Sequence, residues 1–263
     1  MSNIRVVVNG ALGKMGQTLV AALKQEEGIE LVGGIDVRAS EGRIPLDASR
    51  SVPISSNLES ILTSTRPDVL ADFTAPTAVM TTVRTTVKHG VNLVIGTTGL
   101  KSEDIAGIGK LAKENNICAF VAPNFALGAV LMMAMAKLGS KYFDTAEIIE
   151  LHHDQKLDAP SGTALATARM MAEARNKPFA RPKESGELQP SRGTVANGIN
   201  VHSVRLPGYV AHQEVIFGGV GQTLTIRHDS TGRDSFLPGI ILAIREVQKH
   251  KGFTYGLDQL LGL

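Results

Sequence analysis

Along the first half of the chain, short unbroken apolar runs alternate with longer amphipathic stretches. The runs "IRVVVN" (4–9), "IELVGGID" (29–36), "DVLADFT" (68–74), "NLVIGTT" (92–98) and "NICAFVAP" (116–123) are apolar at successive rather than alternate positions. That pattern predicts strands covered on both faces, as in a parallel sheet. Between them, "GQTLVAALKQ" sets Leu19, Ala22 and Leu23 on one helical face. "TAPTAVMTTVRTTVKHG" predicts a helix capped by Thr74, with Pro76 in its first turn and Gly90 at its end. "SEDIAGIGKLAKENN" predicts another, capped by Ser102. Strand, helix, strand in this order implies a doubly wound, Rossmann-like α/β domain.

The pattern changes after Asn124. "ALGAVLMMAMAKLGSKY" predicts a strongly apolar helix whose Met132, Met133 and Met135 read as core filler. "TAEIIELHH" follows as a strand, and "SGTALATARMMAEA" as a helix with Leu165, Ala168, Met171 and Ala172 on one side. A loop rich in proline, glycine and charge spans 176–193, and its pattern assigns it no role. "INVHSVRL", "HQEVIFG" and "QTLTIRHD" are strands without intervening helices, which implies an α+β domain with a largely antiparallel or mixed sheet. The tail "SFLPGIILAIREVQKH" is a helix expected to pack back on the first domain. The expected organisation is a dinucleotide-binding domain of residues 1–123 and 234–263, and a second domain of 124–233.

Composition narrows the function classes. The formal net charge of +2 is too near neutral for a dedicated nucleic-acid binder. The N-terminus reads as neither signal peptide nor membrane span, and a single cysteine, Cys118, fits a reducing, cytoplasmic setting.

"VVVNGALGKMGQTLV" places Gly10, Gly13 and Gly16 between the first strand and first helix. A turn without side chains lets main chain approach a pyrophosphate, which the helix N-terminus then stabilises. Asp36 ends the second strand about 20 residues later, where a carboxylate can accept hydrogen bonds from an adenosine ribose. "IGTTG" (95–99) and "APNF" (122–125) follow later strands, and ligands of open parallel sheets lie beyond the strands' carboxyl ends. These positions indicate a nicotinamide dinucleotide and leave the reaction open.

The window "ELHHDQKLDAPSGTAL" (150–165) supplies His152, His153 and Lys156 just ahead of a helix start at Ser161, Gly162 and Thr163. Main-chain N–H groups, a lysine and two imidazoles suit a small carboxylate-bearing substrate that must gain a proton. No third histidine, cysteine or paired carboxylate stands at metal-ligand spacing, so no metal is expected.

"GALGKMG", "GTTG", "APNF" and above all the H-H-x-x-K-x-D-A-P-S-G-T-A string resemble the dihydrodipicolinate reductase (4-hydroxy-tetrahydrodipicolinate reductase) family of lysine and diaminopimelate biosynthesis. "VIFGGVGQTLTIRHDS" extends the resemblance over essentially the whole chain. It implies a cytoplasmic homotetramer of two-domain subunits, assembled through the second domain's sheet, that reduces a cyclic dicarboxylate with NADH or NADPH. It further implies His152 as proton donor/acceptor and Lys156 as second proton donor, with His153, Ser161, Gly162 and Thr163 holding substrate carboxylates. Gly10, Ala11, Leu12, Gly13, Lys14, Met15, Asp36, Gly96, Thr97, Thr98, Ala122, Pro123, Asn124 and Phe125 match the nucleotide contacts. Some members carry an arginine directly after the acidic residue, facing a 2′-phosphate; here Val37 stands there and Arg38 follows. Lys14 in the glycine turn or Arg38 itself is the alternative cation, Asp36 favours a free 2′-hydroxyl, and dual use of NADH and NADPH is the expectation, with the preference left open.

Other readings differ in what they require. A short-chain reductase needs Y-x-x-x-K, but Tyr142, Tyr209 and Tyr255 are followed four residues on by Ala146, Gln213 and Gln259. An acylating semialdehyde dehydrogenase needs a nucleophilic cysteine, and Cys118 lies inside an apolar run. An oxidative amino-acid dehydrogenase would reduce NAD when given a simple amino acid. A non-enzymatic NADH-sensing regulator would not need the histidine–lysine window.

Overall fold

Val6, Val7 and Val8 have no accessible surface. Successive strand side chains point to opposite faces, so this run can be buried only in a sheet covered on both sides. The computed structural model describes residues 2–181 and 191–263. The run forms β1 (Ile4–Asn9), followed by α1 (Lys14–Leu23) and β2 (Ile29–Ile35). Next come β3 (Gly42–Pro45), β4 (Ser51–Ser55), α2 (Leu58–Thr65), β5 (Val69–Asp72) and α3 (Pro76–Thr86). The first half closes with β6 (Asn92–Ile95), α4 (Ser102–Glu114) and β7 (Cys118–Val121). The second contains α5 (Leu127–Gly139), β8 (Thr145–His152), α6 (Gly162–Glu173), β9 (Thr194–Ala196) and β10 (Ile199–Arg205). It ends in β11 (Ala211–Gly219), β12 (Gln222–Ser230), α7 (Leu237–Glu246), β13 (Gly252–Tyr255) and α8 (Leu257–Leu261).

The chain divides into two units, one running through Phe125 and resuming at Phe236–Leu263, the other Ala126–Ser235. In the first, eight strands lie in the order β13-β7-β6-β5-β1-β2-β4-β3. Every neighbouring pair is parallel except β3 with β4 at one edge. α2, α3 and α4 bury Ile61, Leu62, Val79, Val83 and Ile108 against Val7, Leu70, Leu93 and Ala119 of the sheet. Each such side chain contributes roughly 1.5–3 kcal/mol by leaving water. α1 packs on β1 and β2, and α7 on β6. The strand order reverses direction at β1, between β5 and β2, which is where an open sheet of this kind leaves a ligand crevice.

The second unit is a five-stranded sheet, β12-β11-β8-β10-β9. β10 runs parallel to β8, because α6 and a long connection carry the chain back across the sheet; the other pairs are antiparallel. α5 and α6 contribute Ala136, Ala164, Ala168 and Met171 to a core with Ile148, Val201, Val215 and Phe217. That core uses one face of the sheet, and Ile149, Glu214 and Ile216 on the alternate positions stay half-buried.

Several expectations need correction. Thr74 does not cap α3: its hydroxyl donates to Asp72 Oδ1 at 2.8 Å, leaving Ala75 as the N-cap and Pro76 as the first helical residue. Ser102 lies inside α4, whose cap Lys101 donates its main-chain N–H to Asp104 at 3.1 Å. The buried stripe of α6 is Ala164, Thr167, Ala168 and Met171, while Leu165 is exposed. Met132 is core filler but Met135 is 49% exposed. The 176–193 loop is described only at its ends, where Arg175 stacks on buried Phe179; residues 182–190 lie outside the described residues.

Candidate functional site

The first group of side chains gathers where β1, β5, β6 and β7 end. Gly10 takes φ +81°, and a Cβ there would lie 2.6 Å from the Phe73 carbonyl, so only glycine fits. A Cβ on Gly16 would lie 2.0 Å from the Gly10 carbonyl, which fixes how closely α1 sits on the turn. Gly13, the N-cap of α1, provides no side-chain cap, so the helix opens with unclaimed main-chain donors. Phe73 links the loops: its ring would clash with any Cβ on Gly96, at 2.1 Å, and it packs on Phe125 with ring centroids 6.0 Å apart.

Beneath the loops is a residue that no local motif marks. Asp72 is fully buried and accepts from Asn9 Nδ2 at 2.8 Å, Thr97 Oγ1 at 2.7 Å and Thr74 Oγ1 at 2.8 Å. It thereby ties the ends of β1, β5 and β6 together. Gly10 to Met15, Gly96 to Thr98 and Ala122 to Phe125 therefore share one end of one sheet. Thr97, Ala122 and Phe125 are buried and Lys14, Thr98 and Pro123 exposed.

Asp36 joins this group through its bond from the Leu12 main-chain N–H at 3.0 Å. The one-residue offset of the arginine is absorbed by the turn. Val37 is 89% exposed, whereas Arg38 folds back, its Nε donating to Asp36 Oδ1 at 3.0 Å and Nη2 to Oδ2 at 3.2 Å. The Arg38 side-chain bond lowers the carboxyl pKa against the opposing effect of burial, so Asp36 is ionised at neutral pH.

The second group sits where β8 gives way to the loop before α6. His152 ends the strand, His153 is exposed beyond it, and Lys156 closes a turn through its N–H to the His153 carbonyl at 3.1 Å. Lys156 Nζ reaches both oxygens of Asp158, at 2.7 and 2.8 Å. Ser161 differs from the expected free donor. Its main-chain N–H donates to Glu150 at 3.2 Å, its hydroxyl caps Ala164 N at 3.2 Å, and it is 1% exposed. Gly162 and Thr163 remain as the open main-chain donors of the α6 start.

The family models for dihydrodipicolinate reductase match on both sides of this division, the N-terminus model over residues 4–125 and the C-terminus model over 128–261. The chain belongs to the dihydrodipicolinate reductase family. A 4-hydroxy-tetrahydrodipicolinate reductase of Dehalococcoides mccartyi is 53% identical over 264 residues, covering 100% of both chains. One from Moorella thermoacetica is 48% identical, covering 99% of each. A dipicolinate-bound dihydrodipicolinate reductase from Paenisporosarcina superposes with a TM-score of 0.88 at 45% identity, covering 98% of this chain and 99% of that one. An amine dehydrogenase from Mycobacterium smegmatis, at 17% identity and TM-score 0.64, shares the fold alone.

In this family member sequence reasoning passed over two residues, one that opens the window and one that reaches it from β10. Glu150, the first letter of the string, is fully buried, and Arg205 from the end of β10 reaches it with both terminal nitrogens at 2.8 Å. Burial alone would raise the Glu150 pKa; bonds from His152, Arg205 and Ser203 outweigh it and hold the carboxyl at about 2. The signal for Glu150 was its place two residues before His152, on the same face of the strand. Arg205 had none, since strand register alone brings it to His152.

Proposed function

We propose that this protein reduces 4-hydroxy-tetrahydrodipicolinate to tetrahydrodipicolinate with NADH or NADPH, in lysine and diaminopimelate biosynthesis. The substrate ring gains a hydride and a proton, and its hydroxyl leaves as water. The observation that carries this reading is the 150–165 window. A histidine, a lysine and the open N-terminus of α6 stand together at one end of β8, in a chain that matches both family models.

The first unit fits a pyridine dinucleotide, because a glycine-rich turn, an uncapped helix start and a buried carboxylate follow one another at the strand ends. When bound, the reduced nicotinamide supplies the hydride. Gly10 to Met15 hold the pyrophosphate, Asp36 the ribose, and Gly96 to Thr98 with Ala122 to Phe125 the nicotinamide side. Asp36 suits the free hydroxyls of NADH, and Arg38 offers a cation to the 2′-phosphate of NADPH, so both cofactors serve.

In the second unit, Gly162 and Thr163 bind a substrate carboxylate through main-chain N–H groups, with Ser161 shaping the helix start and His153 as a further donor. His152 is the proton donor and acceptor. Lys156 exchanges its bond to Asp158 for one to the substrate and acts as second proton donor. Assembly is a cytoplasmic homotetramer formed through the five-stranded sheet; the half-buried face bearing Ile149, Glu214 and Ile216 supports this. Among the described residues no helix is long and apolar enough to cross a membrane.

The deciding assay makes the substrate in place with a coupled synthase and follows loss of reduced-nicotinamide absorbance. Turnover should be inhibited by planar pyridine-2,6-dicarboxylate, and His152→Ala should lower kcat by roughly 10²- to 10⁴-fold while cofactor binding persists. Absence of turnover in the intact protein, or wild-type kcat in the variant, refutes the reading.

A further inference from the structure

We infer that Glu150 and Arg205 are a positioning pair that fixes the tautomer of His152 and tethers the loop carrying Lys156. The inference rests on the role proposed above for His152 and Lys156, and neither Glu150 nor Arg205 belongs to the residues assigned there.

The carboxylate comes first. Glu150 Oε2 lies 2.5 Å from His152 Nδ1, and Oε1 receives the Ser161 main-chain N–H at 3.2 Å. An ionised carboxylate only accepts, so the histidine must place its proton on Nδ1. That leaves Nε2 as the working atom: an acceptor when the ring is neutral, a donor when it is charged. The same acid receives both the ring and the α6 start, so one group registers the proton carrier against the main-chain anion site.

Arg205 then does two things at once. Its Nη1 and Nη2 each donate to Glu150 at 2.8 Å, which neutralises a carboxylate that has no exposed surface. Two further donations cross to the next loop, Nε to the Lys156 carbonyl at 3.2 Å and Nη2 to the Asp158 carbonyl at 2.6 Å, while Nη1 also donates to the Val204 carbonyl at 2.8 Å. The loop that presents Lys156 is thus anchored to the group that orients His152. A lysine at position 205 could neutralise the acid but could not span both sets of acceptors, since it has one nitrogen where arginine has a planar fork.

Among the charged groups at this end of the unit, Lys156 and Asp158 satisfy each other, and Arg205 is committed to Glu150. No other cation bonds the carboxylate among the described residues. A purely structural ion pair would need neither the Nδ1 contact nor the carbonyl tethers.

The test uses full-length protein without substrate for the first measurement. Heteronuclear NMR of the imidazole nitrogens, at a pH where His152 is neutral and with His152→Gln for assignment, should find the proton on Nδ1 in wild type. It should find a mixed population in Glu150→Gln. Wild-type protein carrying its proton on Nε2 overturns the inference without any variant having to fold. With substrate, Glu150→Gln should lose on the order of 10²-fold or more in kcat, as when a histidine's orienting acid is replaced by its amide. KM for the reduced cofactor should stay unchanged, and Glu150→Asp should recover part of the loss. Arg205→Lys should keep the Nδ1 tautomer yet lose about tenfold or more in kcat, through a displaced Lys156. Wild-type kcat in Glu150→Gln or in Arg205→Lys overturns the corresponding half. Failure of the reductase reading is distinguishable, because an inert wild-type enzyme leaves the tautomer measurement standing.

Discussion

Asp36 and Glu150 are both buried acids answered by an arginine, one in each unit, and they are assembled in opposite ways. Arg38 is two residues from its acid and its side chain is 62% exposed; Arg205 is 55 residues away and 17% exposed. In the first pair the arginine rests on the surface and can turn to another anion without disturbing the sheet. In the second, the arginine joins two strands, a buried acid and a loop, and its departure would strand a charge away from water. The same chemical pairing can therefore be an adjustable contact or a fixed frame, and sequence separation with burial decides which.

The sharpest way to break the comparison is to remove each arginine and measure unfolding. Arg205→Ala leaves Glu150 buried and without its fork, so a loss of about 3–5 kcal/mol is expected in denaturant melts. Arg38→Ala removes an exposed partner and should leave the melting temperature essentially where it was. Equal losses in the two variants would mean that burial does not separate the pairs.

A smaller effect tests the acids themselves. The Glu150 pKa is depressed from its ordinary 4.5 to about 2 in the folded chain. A depressed folded value stabilises the protein above the unfolded pKa, and that stability is lost as the pH falls through the folded one. Stability should therefore decline between these two values, because the unfolded chain takes up the proton first. In Glu150→Gln the decline over this window should be visibly shallower, as read from denaturant melts at a series of acid pH values. An unchanged slope would mean that the carboxylate is not held ionised by its partners.

These two pairs also mark what the amino-acid sequence could and could not reveal. The glycine turn, Asp36 and the offset Arg38 lie within a few residues of strand ends that the apolar runs announce, so their neighbourhood can be read along the chain. Glu150 is adjacent to legible chemistry, but Arg205 reaches it only because β10 pairs in parallel with β8, setting Arg205 opposite His152. Asp72 was hidden for the same reason, as its partners come from three strands. β3 and β4 went unread because "GRIP" and "SVPIS" carry prolines and little apolar run; β3 is the sheet's edge strand, and β4 lies between it and β2. The exposed Met135 and Leu165 show where helical periodicity misleads: a stripe can be read along a helix, but the neighbour that covers it cannot.

The smallest expected effect bears most directly on cofactor choice. Asp36 accepts from Leu12 N–H and from Arg38 at once, so under the proposed function the ribose of NADH would compete with Arg38 for the carboxylate and the 2′-phosphate of NADPH would compete with the carboxylate for Arg38. On that proposal NADH would place its ribose hydroxyls on Asp36, and Arg38 would yield only part of its contact. NADPH would bring a 2′-phosphate that repels the carboxylate, and the proposal then has the exposed Arg38 turn from Asp36 to the phosphate. Arg38→Ala should therefore lower kcat/KM for NADPH by about tenfold, the loss of one charge-assisted bond, and leave kcat/KM for NADH unchanged or slightly raised. Asp36→Asn should act in the opposite sense, easing the repulsion of the 2′-phosphate while weakening the grip on the ribose. If both cofactors respond equally to Arg38→Ala, the arginine serves only to hold Asp36, and the first pair is as fixed as the second.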